Sequence, residues 1–290
     1  MKVNSAVEAL SILNDGDVIW CQSMAATPYK LLEGLKEVAT QRKDLTLLQL
    51  HTEYSEILCD PELKGRLRQR AFFVGASTRQ AVNQGLADYV PIFLSEIPKL
   101  FRSGEQPLDA AIIQVSPPDK HGNCSLGISV EATRAALQVA KKVVAWINPN
   151  MPRTHGDALV SLKRFDRFYE EAAPIPLHNQ PPQNPVTQKI GERVAGLIND
   201  GDCLQMGIGA IPDATLACLH HHKDLGIHTE MFSDGVLPLV ERGVINNSRK
   251  RKHRGRIVTT FAMGSQALYN FVDDNQEVFF LDVEYTNDTS

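Results

Sequence analysis

Runs of apolar residues alternate with amphipathic segments along the first 150 residues. Short apolar runs predict buried strands, and apolar residues spaced three or four apart predict helices. The predicted strands are Asp17–Gln22, Leu45–His51, Arg70–Val74, Ala110–Val115 and Lys142–Ile147. The predicted helices are Pro28–Ala39, Ser77–Leu86 and Ser129–Ala140. Such an order is typical of an α/β fold, with a mostly parallel sheet and helices on both faces.

The pattern stops at a proline-rich segment and then starts again. Five prolines lie between Ala172 and Pro185, a composition that disfavours both helix and central strand. Beyond it two sequences return: I-L-N-D-G-D, ending at Asp17, returns as L-I-N-D-G-D, ending at Asp202, and L-H-T-E, ending at Glu53, returns as I-H-T-E, ending at Glu230. Two similar α/β units are the simplest explanation of these matches.

We therefore predict two open, mostly parallel sheet domains. The first covers residues 1–173, a Pro-rich linker covers 174–185, and the second covers 186–290. The second unit is much shorter than the first, so we expect it to be a truncated version of the same architecture.

Composition restricts the class of protein. The net charge is −4 and 43% of the residues are apolar, which favours a globular chain over a disordered or nucleic-acid-binding one. No apolar run reaches the roughly 18 residues that a membrane span requires. Five scattered cysteines, never spaced as C-x-x-C, fit reduced thiols, and residues 1–4 do not begin a signal peptide. We predict a cytoplasmic protein with neither membrane nor nucleic acid as a partner.

The segment from Cys203 to Glu230 carries the strongest candidate chemistry. A predicted strand leads into the glycine-containing loop Gly207–Pro212, a helix follows, and the strand Leu225–Thr229 places Glu230 at its carboxyl end. Glycines allow close backbone approach, and a helix N-terminus favours negative charge. If the two strands are neighbours, Glu230 lies beside the loop, which is the outline of a nucleophile with an oxyanion hole.

Simpler readings of these residues remain open. A lone G-x-G turn is a weak signal, and an isolated carboxylate at a strand end is more often a solvated side chain. The loop also lacks the third glycine of a dinucleotide-binding motif, because Pro212 stands there, and it has no Gly-Lys-Ser/Thr ending. The turn Ser233-Asp234-Gly235 that follows Glu230 favours a functional interpretation of this carboxylate.

Several motifs together resemble the acetyl-CoA hydrolase/transferase family and, within it, the 4-hydroxybutyrate CoA-transferase group. The resemblance spans essentially the whole chain. The motifs are G-I-G-A-I-P at 207–212, H-T-E-M-F-S-D-G at 228–235, N-P-N-M-P-R-T at 148–154, S-P-P-D at 116–119 with H-G at 121–122 and S-L-G at 125–127, and T-T-F at 259–261 with Gly264.

The resemblance implies two domains of the CoA-transferase type and a catalytic glutamate, Glu230. That residue would carry CoA from an acyl-CoA to a short carboxylate such as acetate through covalent intermediates. The resemblance also implies a further glycine-rich CoA-binding segment beyond Ser290, a homodimer or higher oligomer, no permanently bound cofactor and no metal, with the CoA thioester as substrate. It assigns CoA contact and the oxyanion hole to Gly207, Ile208, Gly209, Ala210 and Ile211.

Two other functions stay open. Water in place of the acceptor would make the same site an acyl-CoA hydrolase, and a non-catalytic α/β protein that binds CoA or another anion is a further alternative.

Several other groups of residues are weaker candidates for a functional role. His51-Thr52-Glu53 is the first-unit counterpart of the catalytic tripeptide, and a packing role for it is favoured over a place in the active-site crevice. The family resemblance implies that the two domains face each other across the active site, so residues 22–27 could form one of its walls. The histidines 220–222 invite a metal interpretation, but consecutive helical positions point in different directions. The six basic residues within 249–256 are better explained as a solvated loop than as a site for phosphates or nucleic acid, and Cys124 beside His121 is a poor nucleophile candidate.

Overall fold

The structure is a computed structural model, and it describes residues 1–179, 182–207 and 209–288. Within these ranges the helices are α1 (Ala6–Leu10), α2 (Tyr29–Ala39), α3 (Ala76–Asn83), α4 (Ile97–Arg102), α5 (Thr133–Val139), α6 (Pro185–Ala195), α7 (Ala210–Ala217), α8 (Leu237–Glu241), α9 (Gln266–Val272) and α10 (Val283–Thr286). The strands are β1 (Val18–Cys21), β2 (Leu45–Gln49), β3 (Leu67–Ala71), β4 (Ala87–Tyr89), β5 (Ala110–Val115), β6 (Asn123–Ser125), β7 (Lys142–Ile147), β8 (His155–Gly156), β9 (Leu159–Ser161), β10 (Arg167–Glu170), β11 (Cys203–Leu204), β12 (Gly226–Ile227), β13 (Met231–Phe232), β14 (Ile257–Thr259), β15 (Phe261–Ala262) and β16 (Val278–Phe280).

Seven strands of the first unit form one wholly parallel sheet. Their order is β10-β7-β5-β1-β2-β3-β4. Every residue of β5 is buried, as is nearly all of β7, because unbroken apolar runs suit strands covered on both faces. The structure gives these two strands the bounds that the sequence predicts. The predicted α/β fold with a mostly parallel sheet is confirmed.

Helices cover both faces of this sheet. Alternate residues of β1 point to opposite sides, so that Ile19 packs in the core beneath α1 and α2, while Trp20 packs in the core beneath α4 and α5. The Trp20 indole donates a hydrogen bond to Thr133 Oγ1 over 2.8 Å and meets Phe101 edge to face. The second core continues into residues of the second unit.

The second unit repeats part of the first sheet. β11 pairs in parallel with β12, a parallel bridge joins His228 to Val258, and β14 pairs in parallel with β16. The order β11-β12-β14-β16 therefore matches β1-β2-β3-β4. Within the described ranges no strand pairs with the outer edge of β11, whereas β5 occupies that side of β1.

The two units also share structure. β8 comes from the first 173 residues, yet it pairs in parallel with β16. An antiparallel bridge links Ser129 to Phe261, and β15 pairs with β13 next to it. Between the units, residues 171–179 and 182–184 form neither helix nor strand. The proposed division at residues 173 and 186 stays a prediction.

Two predicted elements differ from the structure. The strand predicted at Arg70–Val74 lies at Leu67–Ala71, where burial alternates residue by residue and Arg68 and Arg70 face solvent. The helix predicted at Ser129–Ala140 begins only at Thr133. The residues before Thr133 are not helical. Ser129 forms a bridge to the second unit, and Glu131 has a positive φ of 21° with a fully buried side chain.

Candidate active site

Glu230 lies where the chain bends between two short strands. β12 ends at Ile227, β13 begins at Met231, and Glu230 occupies the break. Its carbonyl oxygen accepts hydrogen bonds from the backbone N–H groups of Thr260 and Phe261 and from Thr259 Oγ1, at 3.0–3.2 Å. Three donors from residues 259–261, which join β14 to β15, thus fix the backbone from which the carboxylate projects.

The Glu230 side chain receives a hydrogen bond from a residue that sequence reasoning missed. Asn287 Nδ2 donates to Glu230 Oε2 over 2.7 Å. Asn287 directly follows α10, a four-residue helix with its N-cap at Asp282. No motif or periodicity in the sequence connects it to Glu230, so only the folded chain reveals the contact.

The predicted neighbour relation between Glu230 and the glycine loop is present in the backbone. β11 and β12 are adjacent and parallel, and Thr229 Oγ1 accepts a hydrogen bond of 2.9 Å from Met206 N–H. The residue before Gly207 is therefore bonded to the residue before Glu230. Gly209 has a φ of +119°, which favours glycine, and serves as the N-cap of α7.

The predicted loop residues do not share one cavity with Glu230. Gly207 and Ile211 line an apolar cavity of about 210 Å³ beside α6 and α7. Ala210 is the first residue of α7, and Ile208 lies outside the described residues. The roles of Gly207, Ile208, Gly209, Ala210 and Ile211 in CoA contact stay predictions.

Glu230 lines a cavity of about 240 Å³ whose walls come mainly from the first unit. These wall residues follow the carboxyl ends of β1, β2, β3 and β4, the edge at which parallel sheets bind ligands. The lining residues are Met24, Leu50, His51, Phe72, Phe73, Ile92, Phe93, Leu94, Glu230, Phe261 and Met263. The first unit thus supplies apolar walls around a carboxylate from the second.

The two weaker first-unit candidates both reach this region. Met24 lies within the segment 22–27, which is a predicted wall of the site, and His51 belongs to the repeated tripeptide. His51 Nε2 lies 3.5 Å from Glu53 Oε1, and His178 Nε2 lies 3.4 Å from the same oxygen. Contact with the His51 ring, and then the charge of His178, lowers the pKa of Glu53 despite partial burial.

The histidines 220–222 and Cys124 are the remaining candidates, and the structure shows the surroundings of each. His222 Nε2 contacts Ile198 O and His220 Nδ1 contacts Ala217 O. Across the residues that the structure describes, no group of three or more side chains is placed to hold a metal ion. Burial raises the pKa of the Cys124 thiol to about 12, which keeps it protonated and poorly nucleophilic.

The basic loop at 249–256 is partly structural. Lys250 is buried, and its Nζ donates to Ile227 O and Arg256 O at 2.6 and 2.7 Å. Arg249 pairs with Asp224 at 3.2 Å, and the Arg256 guanidinium lies 4.5 Å from the Phe279 ring centre. Much of this charge therefore holds the loop to the second unit.

Comparison with known proteins decides the family. Residues 1–179 match the family model described as the acetyl-CoA hydrolase/transferase N-terminal domain. The chain belongs to the acetyl-CoA hydrolase/transferase family. The resemblance that the motifs predict is thereby confirmed.

Curated relatives within this family carry CoA-transferase names. The chain is 50% identical over 226 residues to a 4-hydroxybutyrate coenzyme A transferase of Clostridium kluyveri, covering 78% of the chain and 52% of the relative. It is 44% identical over 283 residues to a succinyl-CoA:acetate/propanoyl-CoA:succinate CoA transferase of Fasciola hepatica, covering 97% of the chain and 59% of the relative. The chain thus spans between about half and three fifths of these relatives' length.

Solved structures of the family share the fold. A 4-hydroxybutyrate CoA-transferase from Porphyromonas gingivalis superposes with a TM-score of 0.88 at 34% identity, covering 99% of this chain and 68% of that one. The CoA-transferase type of α/β fold is therefore confirmed. Within the described ranges, no helix combines the length and apolar character needed to cross a bilayer.

Proposed function

We propose that the protein transfers CoA from a short-chain acyl-CoA, such as 4-hydroxybutyryl-CoA, to a carboxylate acceptor such as acetate. The observation that carries the proposal is the position of Glu230. Its carboxylate lines a small cavity with apolar walls, and its Oε2 accepts a hydrogen bond from Asn287. The CoA-transferase names of the relatives support the same reaction class.

Glu230 acts as the nucleophile in a ping-pong sequence. Its carboxylate attacks the thioester carbonyl, the C–S bond breaks, and an acyl-glutamyl anhydride and CoA thiolate form. The thiolate then attacks the glutamyl carbonyl, which releases the first carboxylate and leaves a glutamyl-CoA thioester. The acceptor carboxylate attacks this thioester, giving a second anhydride and free thiolate. Attack of the thiolate on the acceptor's acyl carbon completes the transfer and restores the Glu230 carboxylate.

Two features of the site favour these steps. Apolar walls reduce hydration of the attacking carboxylate, and the Asn287 amide polarises the glutamyl carbonyl when the thiolate attacks it. Loss of one such donor costs about 3–4 kcal/mol in comparable sites. The glycine loop is bonded through Met206 to the residue before Glu230, which supports its predicted role as a second source of N–H donors.

Covalent trapping tests the nucleophile. After incubation with acyl-CoA, intact-mass analysis is expected to show CoA attached at Glu230, and borohydride is expected to release that CoA and leave a primary alcohol in place of the Glu230 carboxylate. The Glu230→Gln variant is expected to show neither product, and no transfer. Glu230→Asp is the matched control, since it retains the charge but shortens the side chain. An adduct on another residue, or full transfer by Glu230→Gln, would contradict the assignment.

The hydrolase alternative is separated by the acceptor. A transferase gives acetyl-CoA when acetate is added to acyl-CoA and enzyme, whereas a hydrolase releases free CoA at a rate that acetate does not divert. A protein that only binds CoA gives saturable binding with neither product. The cytoplasmic location and the homo-oligomeric state stay predictions alongside this one.

A further inference from the structure

The cavity beside Glu230 is almost wholly apolar, and His51 is the other titratable residue in its lining. Of the eleven lining residues, only His51 and Glu230 are titratable. His51 follows β2 of the first unit, whereas Glu230 follows β12 of the second. A group that begins at Glu230 and fills this cavity of about 240 Å³ therefore reaches His51.

The His51 ring is held in place but keeps unused hydrogen-bonding capacity. It packs against the Phe73 ring with 5.5 Å between centres, and a Cβ built on Gly75 would lie 3.1 Å from Nδ1. The separation of 3.5 Å between Nε2 and Glu53 Oε1 exceeds the usual 2.7–3.2 Å of an N–H···O hydrogen bond. Packing thus fixes the ring, and within the described ranges neither ring nitrogen has a hydrogen bond of usual length.

Glu53 places a negative charge beside Nε2 of the His51 ring. Its carboxylate lies within 3.5 Å of both His51 and His178, and Thr27 Oγ1 accepts a hydrogen bond from its backbone N–H. A hydroxyl group can donate and accept, so it suits either tautomer of the ring. A carboxylate only accepts hydrogen bonds and would meet the charge of Glu53.

We propose that His51, oriented by Glu53, is the specificity-determining residue of the acyl site and binds a hydroxyl group at the far end of the acyl chain. The thioester carbonyl lies at Glu230, the methylene groups contact the aromatic and aliphatic walls, and the terminal hydroxyl contacts the imidazole. This inference rests on the proposed CoA-transferase function and adds the residue that selects an acyl group with a terminal hydroxyl.

The test compares three acyl donors of equal chain length. kcat/KM is measured with 4-hydroxybutyryl-CoA, butyryl-CoA and succinyl-CoA, with acetate as the acceptor. In the wild-type protein we expect 4-hydroxybutyryl-CoA to be the best donor. In His51→Leu we expect the ratio of 4-hydroxybutyryl-CoA to butyryl-CoA to fall about tenfold, the factor that corresponds to 1.4 kcal/mol at 25 °C.

Three further variants separate binding of the hydroxyl from a general change of shape. His51→Gln retains a donor and is expected to recover most of the ratio. Phe93→Leu alters an exposed apolar wall residue, and is expected to change both donors in parallel. Glu53→Gln removes the charge behind the ring and is expected to raise succinyl-CoA relative to 4-hydroxybutyryl-CoA.

The outcomes distinguish this inference from the function on which it rests. A donor ratio that is the same in wild type, His51→Leu and His51→Gln overturns the role of His51 while transfer itself persists. A wild-type preference for butyryl-CoA or succinyl-CoA overturns the hydroxyl. Absence of transfer with all three donors, together with absence of an adduct on Glu230, overturns the proposed function instead.

Discussion

At the scale of single residues, Glu230 has a defined position before any substrate arrives. Three donors hold its backbone carbonyl and Asn287 holds one carboxylate oxygen. A side chain restrained in this way needs little reorganisation to attack, which is the condition for efficient nucleophilic catalysis.

Sequence reasoning identified some of these residues and missed others for physical reasons. Glu230 was found because it follows a predicted strand and a glycine loop. His51 was only a weak candidate, since its place in the cavity depends on how β1 to β4 meet the second unit. Asn287 was missed because 57 residues separate it from Glu230 and amide side chains form no pattern.

Lys250 gives a prediction at the same scale. Burial lowers the pKa of Lys250 to about 8, below the roughly 10.4 of a free lysine. Between these values the unfolded chain binds more protons, so this lysine makes the free energy of unfolding rise with pH, by at most about 1.4 kcal/mol per pH unit. This contribution to the free energy of unfolding is lost as the pH falls from the pKa of the unfolded chain to the pKa of about 8 in the folded protein.

Urea unfolding of Lys250→Met between pH 7.5 and 10 checks this. We expect the difference between wild type and variant to grow in favour of the wild type as the pH rises, because the variant lacks the titration. The variant also removes two hydrogen bonds to backbone carbonyl groups, at a cost of about 1–3 kcal/mol at every pH. Lys64→Met, at an exposed lysine, is the control, and a pH-independent difference would contradict the argument.

At the scale of helices and strands, burial determined which elements could be predicted. The fully buried strands β5 and β7 carry unbroken apolar runs with clear ends. β3 alternates buried and exposed residues, so its apolar signal is weaker and its predicted position was shifted. The short helix α10 was not predicted, since four residues are too few to show a helical period.

α10 depends on the first unit for its position, and this dependence leads to a prediction about the rate of CoA transfer. Arg102, the last residue of α4, hydrogen-bonds both the partly buried Asp282 and Glu284. Arg102→Met leaves Asp282 without this partner and loosens the helix that precedes Asn287. We expect kcat to fall about tenfold, with a smaller change in KM for acyl-CoA, because one transition-state contact is weakened.

Steady-state kinetics of CoA transfer measure this effect. Lys99→Met is the matched control, because Lys99 is an exposed cation on the same helix. Arg102→Lys is expected to recover part of kcat. If Arg102→Met raised KM and left kcat unchanged, α10 would be a substrate-binding element and not a support for Glu230.

At the scale of the whole molecule, the two repeated units differ in how many neighbours their first strand has. β1 has a strand on each side, but β11 has a partner only in β12 among the described strands. Helix α6 rests on α7, where Gly191 packs against Ala214, and most of its residues other than the buried Gly191 and Ala195 are exposed. One side of α6 and the turn after it carry an apolar stripe formed by Val186, Ile190, Val194 and Leu197.

This stripe predicts association of the 290-residue chain. Leu197 is 79% exposed and Val186 is 67% exposed, and contiguous apolar surfaces of this kind mark interaction sites. We expect concentration-dependent oligomers in sedimentation experiments, and we expect Leu197→Lys to shift the population toward the monomer. Gln188→Lys adds the same charge to an exposed position of α6 and serves as the control. Equal behaviour of both variants would place the contact elsewhere.

The composition of the cavity has a consequence for how such an enzyme diversifies. Most of its walls follow strands of the first unit, whereas the carboxylate projects from the second. In the proposed mechanism, selectivity and reactivity reside in separate copies of a repeated architecture. On that proposal, substitutions in the first unit change which acyl group fits the cavity without altering the residues that hold Glu230, so a few substitutions are enough to admit a new substrate.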